Sequence, residues 1–220
     1  LINSNLDKSA LYSGKIKTIG PRYCPSIEDK IYKFPHHKTH HIFLEPEGFN
    51  TNEYYVNGLS TSLSESIQFE IIKSIDALKA AEMIRPGYAI EYDLSDPMDL
   101  NYTLESRIVE NVFLARQINR TTSYEEAAAQ RLIAGINAVL KIKNKEPFIL
   151  KREESYIGIM IDDIIKRGVD EPYRMFTSRA EFRIILRQDN ADIRLCGHAF
   201  KLKTLDAKYE PKFATYRDLY

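Results

Sequence analysis

Only two cysteines occur in this 220-residue sequence, and one of them, Cys24, sits where a thiol would be activated. It lies in Gly20-Pro-Arg-Tyr-Cys-Pro-Ser-Ile-Glu-Asp-Lys30. Pro21 and Pro25 stiffen the loop, and Ser26 with Asp29 three residues on has the spacing of a capping box at a helix start. A thiol just before a helix N-terminus, between Arg22 and Lys30, is favoured as thiolate by the dipole and by both cations. The same cap and cations also suit a dinucleotide phosphate. A small buried cysteine at a turn is the plainer alternative.

Two further constellations carry possible chemistry. From Phe113 to Ala138 an apolar stretch, a polar turn and an alanine-rich helix form half of a nucleotide-binding unit, with Thr122/Glu125 or Ser123/Glu126 as capping boxes. Ala127, Ala128, Ala134, Gly135 and Ala138 make a small-residue face for close approach to a sheet or cofactor. A close-packed core helix reads equally from that pattern, and Arg131 is out of place on it unless it finds a partner or solvent. Farther on, Arg179, Arg183 and Arg187 recur at i, i+4, i+8 behind a Ser178/Glu181 capping box, with Arg174 and Arg194 near. One helical stripe of arginines suits phosphates of RNA or a cofactor, although it also suits a solvated or ion-paired face. His36, His37, His40 and His41 follow Pro35 without an acidic or cysteine ligand beside them, so a loop and no metal site is expected. Asp162 and Asp163 point about 100° apart on a helix and are not a catalytic carboxylate pair.

These residues need elements to hold them. The spacing of Ile67, Ile71, Ile75 and Leu78 predicts a helix over 64–82, stopped by Arg85-Pro-Gly. His41 to Leu44 reads as a strand entering a turn at 45–48, Tyr88 to Tyr92 alternates like a strand, and Ile108 to Ala115 reads as a short apolar strand. Helices are expected over about 124–143, 156–166 and 178–187, with a weakly patterned tail from Gly197. Lysine plus arginine (31) equals aspartate plus glutamate (31), which excludes a protein that coats nucleic acid by bulk charge but not a local basic site. The cysteines are far apart, which suggests neither a disulfide framework nor a zinc ribbon and makes a reducing compartment the default. No apolar run approaches a membrane span. Leu1 opens the sequence without a signal-peptide core, so a piece of something longer is expected. Glycine is scarce, at nine residues, about 4% against a usual ~7%.

Several long motifs resemble the MnmG/GidA family: Gly20 to Phe34, Ile42 to Gly48, Asn57 to Leu63, Arg85 to Asp93, Tyr124 to Gln130, Gly158 to Asp163, and Glu171 to Glu181 onward to Leu195. The resemblance implies an α/β fold, a partial Rossmann-like FAD- and NAD(P)-binding flavoprotein followed by an α-helical segment. Residues 1–103 would belong to an inserted nicotinamide-binding domain, 104–146 to the last strand–loop–helix of the FAD-binding domain, and 147–220 to the start of a helical C-terminal region. It implies an enzyme that, with an MnmE-type GTPase partner, installs a carboxymethylaminomethyl group on the wobble uridine of tRNA, using FAD, NADH and a methylenetetrahydrofolate carbon. A homodimer off the membrane is implied, in the cytoplasm or alternatively in mitochondria. Carried over by position, Gly20, Pro21, Arg22, Tyr23, Cys24, Pro25, Ser26, Ile27, Glu28, Asp29, Lys30, Ile31, Tyr32, Lys33 and Phe34 match the nicotinamide-dinucleotide segment. Cys24 matches the proposed catalytic thiol, Gln117 a flavin-contacting glutamine, and Arg174, Arg179, Arg183 and Arg187 are the residues expected on tRNA. The sequence departs from the family where Arg116, Arg120, Ser123 and Arg131 replace glycines, and it contains no GxGxxG. Those glycines are expected to permit positive φ and close approach to the flavin. The alternative to a working fragment is therefore a non-catalytic remnant that does not bind FAD on its own.

Overall fold

A computed structural model describes residues 1–16 and 25–218, in two compact units, Leu1–Tyr92 and Asp93–Tyr220. Gly20, Pro21, Arg22, Tyr23 and Cys24 lie outside the described residues.

In the first unit, helix α1 (Ile27–Lys33) starts where the capping signal puts it: Ser26 Oγ accepts from the Asp29 backbone N–H at 3.2 Å. The buried Glu28 side chain ties this helix to the next segment, accepting from Ser62 N at 2.7 Å and Ser62 Oγ at 3.1 Å. Strands β1 (Phe43–Pro46) and β2 (Tyr54–Asn57) form an antiparallel hairpin with Phe43 opposite Asn57. Helix α2 (Glu65–Ser74) buries Ile67 and Ile71 with Leu63. It is shorter than expected. Ser74 Oγ turns back to Ile71 O, and a 3-10 turn at Asp76–Leu78 continues the chain. The alternation over 88–92, expected to give a strand, gives none among the described residues. Here the side chain of Gln68 holds Gly87 instead, donating to its carbonyl at 2.9 Å and accepting from its N–H at 2.6 Å.

The second unit is built on α3 (Glu125–Ile142) and α4 (Tyr156–Arg167), whose buried Ile133, Ala134, Met160, Ile161, Ile164 and Ile165 share one core with Leu100, Leu104, Leu150 and Tyr173. Ser155 caps α4, its Oγ accepting from Gly158 N at 2.9 Å. Gly158 is obligatory, because a Cβ there would overlap the backbone carbonyls of Leu150 and Lys151.

Two expectations fail in this unit. Residues 108–115 form turns with isolated bridges, Leu100 to Ser106 and Glu105 to Phe113, rather than a strand. Leu104 and Asn111 turn the chain at φ +66° and +65°. Residues 178–187 are a 3-10 turn (Thr177–Arg179) followed by a turn over 181–185 rather than a helix. Arg152 draws Glu181 away from its capping role, donating to Glu181 Oε1 from Nε at 3.0 Å and Nη2 at 2.6 Å. The tail, weakly patterned in sequence from Gly197, folds as α5 (Ala191–Lys201) and α6 (Glu210–Arg217). No helix among the described residues is long and apolar enough to cross a membrane, and no cluster of three metal-ligating side chains occurs among them.

Candidate functional site

A densely hydrogen-bonded loop runs from Leu114 to Ser123 over the N-terminal half of α3. It is held by one side chain that sequence reading passed over, Gln130. Gln130 Oε1 accepts from Arg116 N at 3.1 Å and Asn119 Nδ2 at 2.8 Å, while its Nε2 donates to Thr121 Oγ1 at 2.6 Å. Asn119 Nδ2 also donates to Leu114 O, and Thr121 Oγ1 to Arg116 O. Gln130, Asn119 and Thr121 are fully buried, so these bonds form without competition from water. A second anchor comes from Tyr173, whose N–H donates to Arg120 O at 2.9 Å and whose carbonyl accepts from Thr122 N at 2.8 Å. Glu126 completes the frame by accepting from Met175 N at 2.9 Å. None of the Thr122, Ser123 or Ser178 capping boxes forms: Tyr124 occupies the N-cap of α3 and no side chain caps it.

The loop tests whether these residues fit a flavin. Arg116 has φ +92° and ψ −147°, and Arg120 has φ +54° and ψ +33°. The first is a region essentially reserved for glycine, and the second is left-handed. The backbone thus keeps the glycine form that the family resemblance implies, at two of the four substituted positions. Buried Asn119 Oδ1, Ser123 Oγ and Glu126 Oε2 have no hydrogen-bond partner, which is what a site lacking a polar ligand shows. Gln117 is 9% exposed at the same loop. The side chains disagree with the backbone. Arg120 reaches Val169 O through Nη1 at 3.1 Å while its buried Nε finds no partner, and Arg116 stands exposed where a Cβ-free backbone would let a ring approach. The loop therefore has the frame of a cofactor site and not the surface of one. Arg131 resolves more simply, since it is exposed to solvent.

Beneath the loop lies a second polar cluster on α4. Arg152 Nη1 bonds Asp163 at 2.6 Å and Asp162 at 3.0 Å. Tyr102 donates to Asp162 at 2.7 Å and Tyr173 to Asp163 at 2.9 Å, and Lys166 pairs with Asp162 at 2.8 Å. Burial alone would raise the Asp162 carboxyl, but Lys166, Tyr102 and Arg152 outweigh it and hold it below the ordinary range. Asp162 and Asp163 thus share a cation, as a structural node rather than a catalytic pair. Through Tyr173 that node also fixes Arg179, whose guanidinium stacks 4.2 Å over the tyrosine ring.

Of the four arginines expected on nucleic acid, Arg174 lies 5.7 Å over the Phe176 ring and Arg187 pairs with Asp189 at 3.2 Å. With no helix over 178–187, Arg179, Arg183 and Arg187 do not form one stripe. Pro25 to Phe34 make up the turn and helix α1, with Pro25, Tyr32, Lys33 and Phe34 exposed, Ser26, Ile27 and Glu28 buried, and Asp29, Lys30 and Ile31 between. The histidines lie in the loop after α1, as expected, with His36 and His37 edge-to-face at 4.5 Å. Cys196 is on α5, where burial and then Asp192 push its thiol up and make it a poor nucleophile.

A family model described as glucose inhibited division protein A matches residues 1–146. The chain is 56% identical over its full length to a tRNA uridine 5-carboxymethylaminomethyl modification enzyme MnmG of Chlorobium phaeobacteroides, of which it covers 36%. It is 60% identical over 89% of its length to the enzyme of that name from Karelsulcia muelleri, covering 32% of it. Among solved structures, Aquifex aeolicus GidA in the form II crystal matches with a TM-score of 0.77 at 50% identity, over 97% of this chain and 33% of that one. The form I crystal matches with the same TM-score at 56% identity. The chain spans about a third of the length of these relatives.

Proposed function

Because the chain belongs to the glucose inhibited division protein A (GidA) family, we propose that it is a fragment of a tRNA wobble-uridine modifying enzyme of the MnmG type. In this reading the whole enzyme forms 5-carboxymethylaminomethyluridine as a homodimer with an MnmE-type GTPase. It would bind FAD and NADH and take a carbon from methylenetetrahydrofolate. Residues 104–146 would contribute the flavin-facing strand–loop–helix of a Rossmann-like domain, residues 1–103 the nicotinamide region with Cys24 as the catalytic thiol, and residues 147–220 the beginning of a helical region. Arg174, Arg179, Arg183 and Arg187 would meet tRNA phosphates. The observation that carries the proposal is the backbone at Arg116 and Arg120, which retains positive φ though neither residue is glycine. A loop keeps that form against its own residues only when its surroundings over-determine it, and here Gln130 and Tyr173 do so.

The same two residues favour a second reading for this chain on its own: a remnant that keeps the frame and has lost the cofactor. Its side chains add bulk and charge where the backbone invites close approach, so no flavin step is derived from them. The test is to purify the chain and read visible flavin absorbance, alone and after grafting it into the matched third of the Chlorobium phaeobacteroides relative. No flavin is expected from the chain alone, nor, under this second reading, from the unaltered graft. Replacing Arg116, Arg120, Ser123 and Arg131 by glycine in the graft is expected to restore stoichiometric flavin. Flavin bound by the unaltered graft would overturn the remnant reading. No flavin in the four-glycine graft, where the folded relative itself binds it, would overturn the enzyme reading of this loop.

A further inference from the structure

The segment from the end of α1 to β1 has a composition that the proposed chemistry leaves unused. From Lys30 to Leu44 it carries three lysines, four histidines and the rings of Tyr32, Phe34 and Phe43, with no aspartate or glutamate. The whole chain has equal numbers of basic and acidic residues, 31 of each, so this is a local run of positive charge without acidic residues of its own. Its rings touch one another. Phe34 stacks on His37 with centroids 5.6 Å apart and planes at 28°. His36 stands edge-on to both, 4.5 Å from His37 and 6.3 Å from Phe34, and His37 meets His40 at 6.3 Å. The group stays at the surface: Tyr32 is 59% and Phe34 47% exposed, and His36 and His37 are exposed as well. Lys30 reaches Gly58 O at 3.4 Å and Lys33 pairs with Asp29 at 3.0 Å. Exposed Lys38 pairs with no carboxylate among the described residues.

We infer that the ring cluster of Phe34, His36 and His37, with Lys38 next in the chain, is a stacking surface for unpaired RNA bases, those of the loop that holds the wobble uridine. Lysine is depleted from the centres of protein–protein interfaces, which sets this segment apart from a docking face for a protein. Cations interleaved with open rings are what an unpaired strand uses: its phosphates meet the lysines, and each base has a face that stacks on phenylalanine, tyrosine or histidine. The inference rests on the tRNA reading proposed above and adds a different kind of contact to it. Arg174, Arg179, Arg183 and Arg187 would meet phosphates, whereas these rings would take bases. Phe34 also ends the segment matched to the nicotinamide dinucleotide, so the two ligands are tested apart.

The chain has no tryptophan, so Phe34→Trp places a single indole in the cluster as its own reporter. Titration with an RNA stem-loop whose unpaired loop contains uridine should quench its fluorescence by stacking. The same RNA strand annealed to its full complement should quench it far less. Tyr209→Trp, at an exposed position of the other unit, should not respond. Binding of the stem-loop to the unaltered chain, followed by anisotropy of a label on the RNA, should weaken about fivefold or more when Phe34→Ala and His37→Ala are combined. Phe34→Tyr keeps the ring and should keep the affinity. Lys38→Ala should weaken stem-loop and duplex alike and lower the salt dependence by about one charge. Binding of the stem-loop without quenching, equal quenching by the duplex, quenching by NAD but not by RNA, or unchanged binding in either alanine variant would overturn the inference and leave the tRNA reading standing. A chain that binds no RNA would overturn it too, and would count against the tRNA reading only if the chain grafted into the Chlorobium phaeobacteroides relative also bound none.

Discussion

Arg116 holds a backbone conformation that its own Cβ opposes, and the cost can be read from stability. At φ +92° and ψ −147° a non-glycine residue is strained by about 1–3 kcal/mol. Arg116→Gly releases this strain. It leaves the Arg116 N–H bond to Gln130 Oε1 intact and removes an exposed side chain with no burial to lose. Against the gain stands the added freedom of glycine in the unfolded chain, about 0.5–1 kcal/mol. The net expectation is a stabilisation of about 1 kcal/mol, within a span of about 0–2.5 kcal/mol. The unit concerned spans Asp93–Tyr220, a size at which each kcal/mol moves the melting temperature by about 3–5 °C. A rise of roughly 3–5 °C is therefore expected by calorimetry or far-ultraviolet circular dichroism. Arg116→Ala keeps the Cβ and should give no such gain. Arg120→Gly should be close to neutral, because relief of its left-handed backbone, about 1–2 kcal/mol, is offset by the same glycine penalty and by the lost bond to Val169 O, about 1 kcal/mol. An unchanged or lower melting temperature for Arg116→Gly would refute the reasoning, since the loop would then be relaxed around arginine.

Gly158→Ala should destabilise by about 1–3 kcal/mol through overpacking against the Leu150 and Lys151 carbonyls, although the same exchange in an open helix gains about 1 kcal/mol; urea midpoints decide the sign. Arg152→Leu leaves the Asp163 carboxylate buried without its cation, and a loss of about 3 kcal/mol is expected by urea denaturation, whereas Arg183→Leu at an exposed turn should leave the midpoint unchanged. Stability should also fall on both sides of a broad plateau in pH-dependent melting. Lys141 holds Glu105 and Arg152 holds Glu181 below the ordinary carboxylate range, as the cation cluster does Asp162. Their stabilisation is present above the unfolded carboxylate values and is lost as pH falls through the lower folded values. Burial, followed by bonds to aspartate, pushes Tyr102 and Tyr173 up, and Tyr12 up to about 12, so their contribution is present below pH 10 and is lost as pH rises towards the folded values.

What could be read from the sequence was what neighbours in sequence decide. The Ser26 cap and helices α3 and α4 rest on local spacing, and they stand where that spacing put them. The helix expected over 178–187 gives way to a distant partner, Arg152, which captures Glu181, and the polar turn after Ala115 takes a form that Gln130 and Tyr173 set. One signal for the site was nonetheless present in the sequence. Glu126, Gln130 and Asn137 share a face of α3 with Ile133, and three polar side chains along one apolar-bordered face are out of keeping with a simple core helix. Placed against water, that face would leave Ala128, Leu132, Val139 and Ile142 to form the core. The structure does the reverse, burying the polar face and exposing the apolar one. Gln130 explains the choice, since its amide satisfies loop groups that no apolar residue could and would cost heavily if buried unpaired. Between the exposed Glu125 and Arg131 at its flanks, the side of α3 turned away from the loop is apolar. The inverted polarity of α3 thus follows from the loop it frames, with the 114–123 loop on its polar face and an exposed apolar stripe on the other.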